Sequence, residues 1–145
     1  MSDESFDDIV ETFSFLDDWE DRYRHVIDLG KAMPTLPDSM KSGLTKVDGC
    51  VSQVWIAPEI EGAGPSARLS FLGDSDAMIV KGLIAVLRAM LNGRPVEEIL
   101  STDVHGELGR LGLDQHLSPQ RSNGLKAMVA RLRALAQAAT DQAEA

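Results

Sequence analysis

The amino-acid sequence predicts an α+β fold: a small antiparallel sheet of about three strands, packed against helices and helical at both ends of the chain. Two observations carry the prediction. Apolar residues recur at helical spacing near both ends and in the middle of the chain. Between them lies a β-branched and aromatic run, Gln53-Val54-Trp55-Ile56, followed by turn residues and a second, alternating run. With 145 residues the chain is long enough to bury one core, so a single domain over residues 1–145 is expected, with a polar tail at about 140–145.

The first helix is expected from the stripe Phe6, Ile9, Val10, Phe13 and Leu16. Asp17 and Asp18 interrupt that stripe and are suited to cap a second helix, whose apolar side is Trp19, Tyr23, Val26 and Ile27. Gly30 and Pro34 end it. Residues 34–45 show no period and read as a surface loop, and residues 45–47 as a short strand. Asp48-Gly49-Cys50 reads as a tight turn, because glycine permits backbone angles other residues avoid. The strand at Gln53-Ile56 is joined through Glu61-Gly62-Ala63-Gly64-Pro65 to a strand holding Leu69 and Phe71, forming a hairpin. Gly73-Asp74-Ser75-Asp76 offers N-caps for a helix over residues 77–91. Its apolar residues cover most of its surface, which places it centrally. Asn92-Gly93 closes that helix, a short one follows from Pro95 to Leu100, and a weaker one covers residues 104–111. Ser118-Pro119 opens the last helix, which repeats Leu125, Met128, Val129, Leu132 and Leu135.

Charge and composition narrow the function. Twenty-three acids against 14 bases leave a net charge of −9, which disfavours nucleic acid as a partner at long range. No apolar run approaches the roughly 20 residues of a membrane span. The opening Met1-Ser2-Asp3-Glu4-Ser5 is acidic, unlike a secretory signal, so a cytoplasmic protein is expected. A single cysteine cannot close an internal disulfide, and with three dispersed histidines it supplies no closed metal-ligand set.

That cysteine, Cys50, follows a glycine in a turn, where a sulfur can be presented to a partner, or it packs as a small hydrophobe. Hydrolysis would need a base, and His116 in Asp114-Gln115-His116-Leu117 equally suits a packed position. Intrachain disulfide exchange lacks a resolving cysteine. A lone thiol can still attack a sulfur on another protein and keep the terminal atom as a persulfide.

The block Val47-Asp48-Gly49-Cys50-Val51-Ser52-Gln53-Val54-Trp55 resembles the SufE family of sulfur-acceptor proteins. Two further blocks follow in family order. One is Gly73-Asp74-Ser75-Asp76-Ala77 running into Ile79-Val80-Lys81-Gly82-Leu83-Ile84; the other is Gln115-His116-Leu117-Ser118-Pro119-Gln120-Arg121-Ser122 with Gly124-Leu125. The resemblance implies the fold shared with U-type cluster scaffolds. It also implies a function: Cys50 accepts sulfane sulfur from a SufS-type pyridoxal-phosphate cysteine desulfurase, stimulates that enzyme, and delivers the sulfur to a SufBCD-type scaffold for iron–sulfur cluster assembly. The related CsdE branch, serving a paralogous desulfurase, fits the same blocks. The chain itself is expected to hold no cofactor and no metal, and to be no stand-alone enzyme. A homodimer is compatible with the sequence. The alternative is a non-catalytic interaction module that regulates a desulfurase and keeps Cys50 as packing.

Other residues of the three blocks are candidates for supporting roles. Gly49 shapes the cysteine turn, while Ser52 and Gln53 either bond that loop or face solvent. Asp74 and Asp76 read as helix caps, with a role near the cysteine loop as the alternative for both. Arg121 sits in the first turn of a helix, where a cation gains nothing from the dipole, and the carbonyls of the cysteine loop are its expected partner. Trp55 is expected in the core, and Gly82 at a close helix crossing.

Overall fold

The computed structural model describes residues 5–47 and 53–141. Helix α1 (Phe6–Ser14) begins with a capping box, in which the Ser5 hydroxyl accepts from the Asp8 N–H while the Asp8 carboxylate accepts from the Ser5 N–H. Helix α2 (Trp19–Ala32) is capped by Asp18, whose carboxylate accepts from the Glu20 N–H at 2.9 Å. After a 3₁₀ turn (Asp38–Met40) come strand β1 (Val54–Glu61), strand β2 (Arg68–Ser75), helix α3 (Met78–Leu91) and strand β3 (Arg94–Pro95). The chain then turns helical: α4 (Val96–Ser101), α5 (Val104–Gly109), α6 (Leu113–His116) and the long α7 (Pro119–Asp141).

The sheet is antiparallel with order β1-β2-β3, which makes the protein α+β with three strands, as predicted. The third strand differs from expectation. Residues 45–47 form only an isolated bridge, Lys46 with Trp55, and the third strand is Arg94–Pro95 paired with Arg68 and Leu69. Strand β1 also runs further than its β-rich run, through Pro58 to Glu61. It can do so because it lies at the edge of the sheet, where a residue without an N–H is tolerated.

Helix α3 is the core element. Nine of its residues are buried, among them Leu83, Ile84, Val86 and Leu87, and it packs on α2, on β2 and on α7. Gly82 makes the crossing with α2 close: a Cβ there would lie 2.7 Å from the Val26 carbonyl carbon, and one on Gly30 would lie 2.7 Å from the Gly82 nitrogen. The two helices meet glycine to glycine, nearer than side chains would allow. At the other end, His116 stacks on Trp19 with ring centroids 3.9 Å apart, and its carbonyl accepts a hydrogen bond from the Tyr23 hydroxyl. That histidine is a packing residue between α2 and α6.

Candidate functional site

The turn expected at the cysteine falls in residues 48–52, and Gly49, Cys50 and Ser52, with Asp48 and Val51, lie outside the described residues. Both of its ends are described. On the N-terminal side, the Val47 N–H donates to the Val54 carbonyl at 2.8 Å, and the Ile56 N–H donates to the Thr45 carbonyl at 2.8 Å. Residues 45–47 therefore run alongside the start of β1. Thr45 secures the loop before them, its hydroxyl donating to the Met40 carbonyl and accepting from the Ser42 N–H. From α7, Arg131 donates to the Leu44 carbonyl at 2.6 Å.

On the C-terminal side Gln53 is stapled to the corner between β2 and α3. Its N–H donates to the Asp76 carboxylate at 3.0 Å, and the Asp76 N–H donates back to the Gln53 carbonyl at 3.3 Å. Gln53 thus holds the loop end through its backbone, while its side chain is exposed. The expectation that Asp74 and Asp76 cap α3 is corrected here. The N-cap is Ala77, without a side-chain cap bond; Asp76 is occupied by Gln53, and Asp74 belongs to strand β2.

Asp74 is the buried charged residue of this region, 8% exposed, and it pairs in register with Trp55. Its carboxylate lies 2.9 Å from the Lys41 ammonium and 3.5 Å from that of Lys81, and accepts the Ser75 N–H at 2.8 Å. Burial works against its charge. The Lys41 hydrogen bond, the Ser75 N–H and the nearby lysine charges outweigh burial and hold its pKa below the ordinary carboxylate value. Lys41 is shifted the other way, upward, by Asp74 first and then by Asp38 at 3.2 Å. Its ammonium also sits 5.2 Å over the Trp55 ring. Trp55, expected in the core, is only half-buried and forms the seat for this lysine.

The structure thus brings Gln53 and Asp74 of the expected set to one place, beside the two ends of residues 48–52. Arg121 is in the first turn of α7 as expected, with its side chain exposed. Its backbone N–H donates to the Ser118 hydroxyl at 3.3 Å. The carbonyls expected to receive its guanidinium belong to residues outside the described set. Two residues of the cluster escaped the sequence reading. Lys81 left a trace, as a charge inside an apolar helix, whereas Lys41 lies in an aperiodic loop and left none. Among the described residues no group of three His, Cys, Asp or Glu could hold a metal ion.

This arrangement fixes the two residues, Val47 and Gln53, between which a short segment runs. A carboxylate locked in the wall orients two cations, and the segment between Val47 and Gln53 carries the chain's only cysteine. Comparison with known proteins agrees with the motif. The family model for SufE, described as an iron–sulfur (Fe-S) metabolism associated domain, matches residues 7–136. The chain belongs to the SufE family. An uncharacterized SufE-like protein of Rhizobium etli is 49% identical over 129 residues, covering 89% of this chain and 87% of the relative. Another, from Rhizobium meliloti, is 44% identical over 133 residues, covering 92% and 95%. The SufE fold is shared with a hypothetical protein from Thermus thermophilus whose solution structure superposes with a TM-score of 0.71 at 26% identity, covering 98% of this chain and all of that one. No helix among the described residues is long and apolar enough to cross a membrane.

Proposed function

We propose that Cys50 of this SufE-family chain is a persulfide carrier serving a cysteine desulfurase. The observation that supports this reading most is the place of the only cysteine in the chain: it falls in the five residues between Val47 and Gln53, and those two described residues are clamped near the Lys41–Asp74–Lys81 cluster. In the reaction, the Cys50 thiolate attacks the terminal sulfur of a persulfide on the desulfurase cysteine. A new S–S bond forms at Cys50 and the donor's S–S bond breaks, its electron pair leaving with the donor cysteine as a thiolate. No oxidant is consumed, and the sulfane sulfur remains at the same oxidation level.

Both the attacking thiolate and the resulting persulfide are anions, in a protein whose net charge of −9 disfavours them. Lys41 and Lys81, though shared with Asp74 and Asp38, are the cations held at the ends of this segment, and a cation brought near a thiol lowers its pKa. Asp74 keeps those cations at the loop's base rather than leaving them to wander in solvent. The partner desulfurase is of the SufS type, the carrier stimulates it, and a SufBCD-type scaffold receives the sulfur in the cytoplasm. Cys50→Ser tests the proposal. With a matched desulfurase and cysteine, the variant should neither take up sulfur nor stimulate turnover, while folding as the parent does. Undiminished stimulation would show that the chain acts by docking alone.

A further inference from the structure

Helix α7 faces two ways. Through Arg131 it holds Leu44, in the loop that leads to residues 48–52. A residue two positions further on is turned by about 200° around the helix, so Arg133 points to the other side. There α7 borders the corner between α4 and α5, leaving a groove of about 460 Å³. Half-buried Leu100 and the edges of the buried Val104 and Val129 supply its apolar lining, and His105, Lys126 and Arg133 its basic groups. A second concavity of about 240 Å³ shares His105 and Lys126 and continues past Leu108 and Leu125 to Ser122. From Ser122 to Arg133 the groove follows α7 for about 16 Å.

Its charge is opposite to that of the chain. Among the described residues neither Lys126 nor Arg133 has a carboxylate partner, in a protein of net charge −9. The acid on this wall, Asp103, is engaged as the N-cap of α5, accepting the Gly106 N–H at 3.1 Å. The Ser101 and Thr102 hydroxyls both donate to the Glu98 carbonyl. The polar groups of the wall are thus satisfied internally while the cations are not. A small inorganic anion would answer the cations and leave the apolar lining uncovered, and a nucleic acid is repelled by the chain as a whole. A peptide with both carboxylates and apolar side chains matches both features.

We propose that this groove docks an acidic amphipathic segment of a partner protein, on the side of α7 turned away from Leu44. Such a contact would hold a partner without covering Leu44. The proposal goes beyond sulfur transfer and requires nothing of Cys50. It is tested with ¹⁵N-labelled full-length protein, titrated with an acetylated helical peptide of about 12 residues (~18 Å) bearing leucines at helical spacing and glutamates elsewhere. Amide shifts are expected in residues 100–105 and 122–133, with binding weakened by salt. Lys126→Glu with Arg133→Glu should weaken binding about tenfold or more, the range charge reversal at a complementary contact reaches, and leave the melting temperature unchanged. Cys50→Ser should bind as the parent does, which separates this test from the carrier proposal. Shifts elsewhere, binding indifferent to the double charge reversal, or equal binding of a lysine-for-glutamate peptide would overturn the proposal. So would the same shifts arising on concentrating the protein alone, since they would assign the groove to a second copy of this chain.

Discussion

Replacing Gly82 by alanine should destabilise the protein, although alanine is the better helix former. In an open helix the exchange would gain about 0.5–1 kcal/mol. Here the new methyl would sit 2.6 Å from Val26 Cγ1 and 2.7 Å from the Val26 carbonyl carbon, where unstrained carbon contacts lie at about 3.5–4.0 Å. Val26 Cγ1 could yield by rotation, but the backbone of α2 could not, so the helices must part by roughly 1 Å. Overpacking of this kind costs about 1–3 kcal/mol. Because backbone is struck, the upper part of that range applies, leaving a net loss of about 2 kcal/mol. For a domain of this size that corresponds to a fall in Tm of roughly 4–8 °C. Lys81 adjoins Gly82, so the same displacement should loosen its contact with Asp74. Urea unfolding followed by far-UV circular dichroism measures the effect as a lower midpoint at constant slope. Gly43→Ala is the control, because nothing lies within 4 Å of its added Cβ and its glycine needs no left-handed angle. A Gly82→Ala protein as stable as the parent would mean that the α2–α3 crossing is not closed by these glycines.

Three other outcomes follow from the site. Asp74 is held below its ordinary pKa, so its pairing contributes stability that is present above the unfolded value and is lost as pH falls below about 4. Asp74→Asn should flatten that acid limb of the stability–pH curve and lower stability at neutral pH by about 1–3 kcal/mol, the cost of a charge-assisted hydrogen-bond network losing its acceptor; thermal melts across pH check both. Lys41→Glu should slow sulfur acceptance several-fold in single-turnover assays with a desulfurase while secondary structure is retained, and an unchanged rate would remove Lys41 from the carrier site. Elemental analysis of the purified protein should find neither stoichiometric zinc nor iron, because one cysteine and three dispersed histidines provide no closed ligand set.

The parts of the fold that announce themselves in the sequence do so through local pattern. Phe6, Ile9 and Phe13 mark α1 by their spacing, and the continuous apolar surface of α3 marks the centre of the core. Strand β3 escaped because two residues cannot show alternation, and its pairing with Arg68 and Leu69 is a tertiary fact. Helix α6 escaped for the same reason, being only four residues long. The misreading of Asp74 is instructive: an acid just before a helix looks locally like a cap. What decides otherwise is the strand register, which sets it opposite Trp55, and a lysine from a loop far earlier in the chain. The motif singles out Cys50 as the candidate, whereas the gathering of Lys41 and Lys81 at Asp74 could not be read without the fold.

The persulfide itself is the most direct measurement. Incubated with a matched cysteine desulfurase and cysteine, then analysed intact by mass spectrometry and by peptide mapping, the protein should carry one additional sulfur atom on the peptide containing Cys50, removable by reductant. An unmodified Cys50 beside an actively turning-over desulfurase would contradict the carrier role.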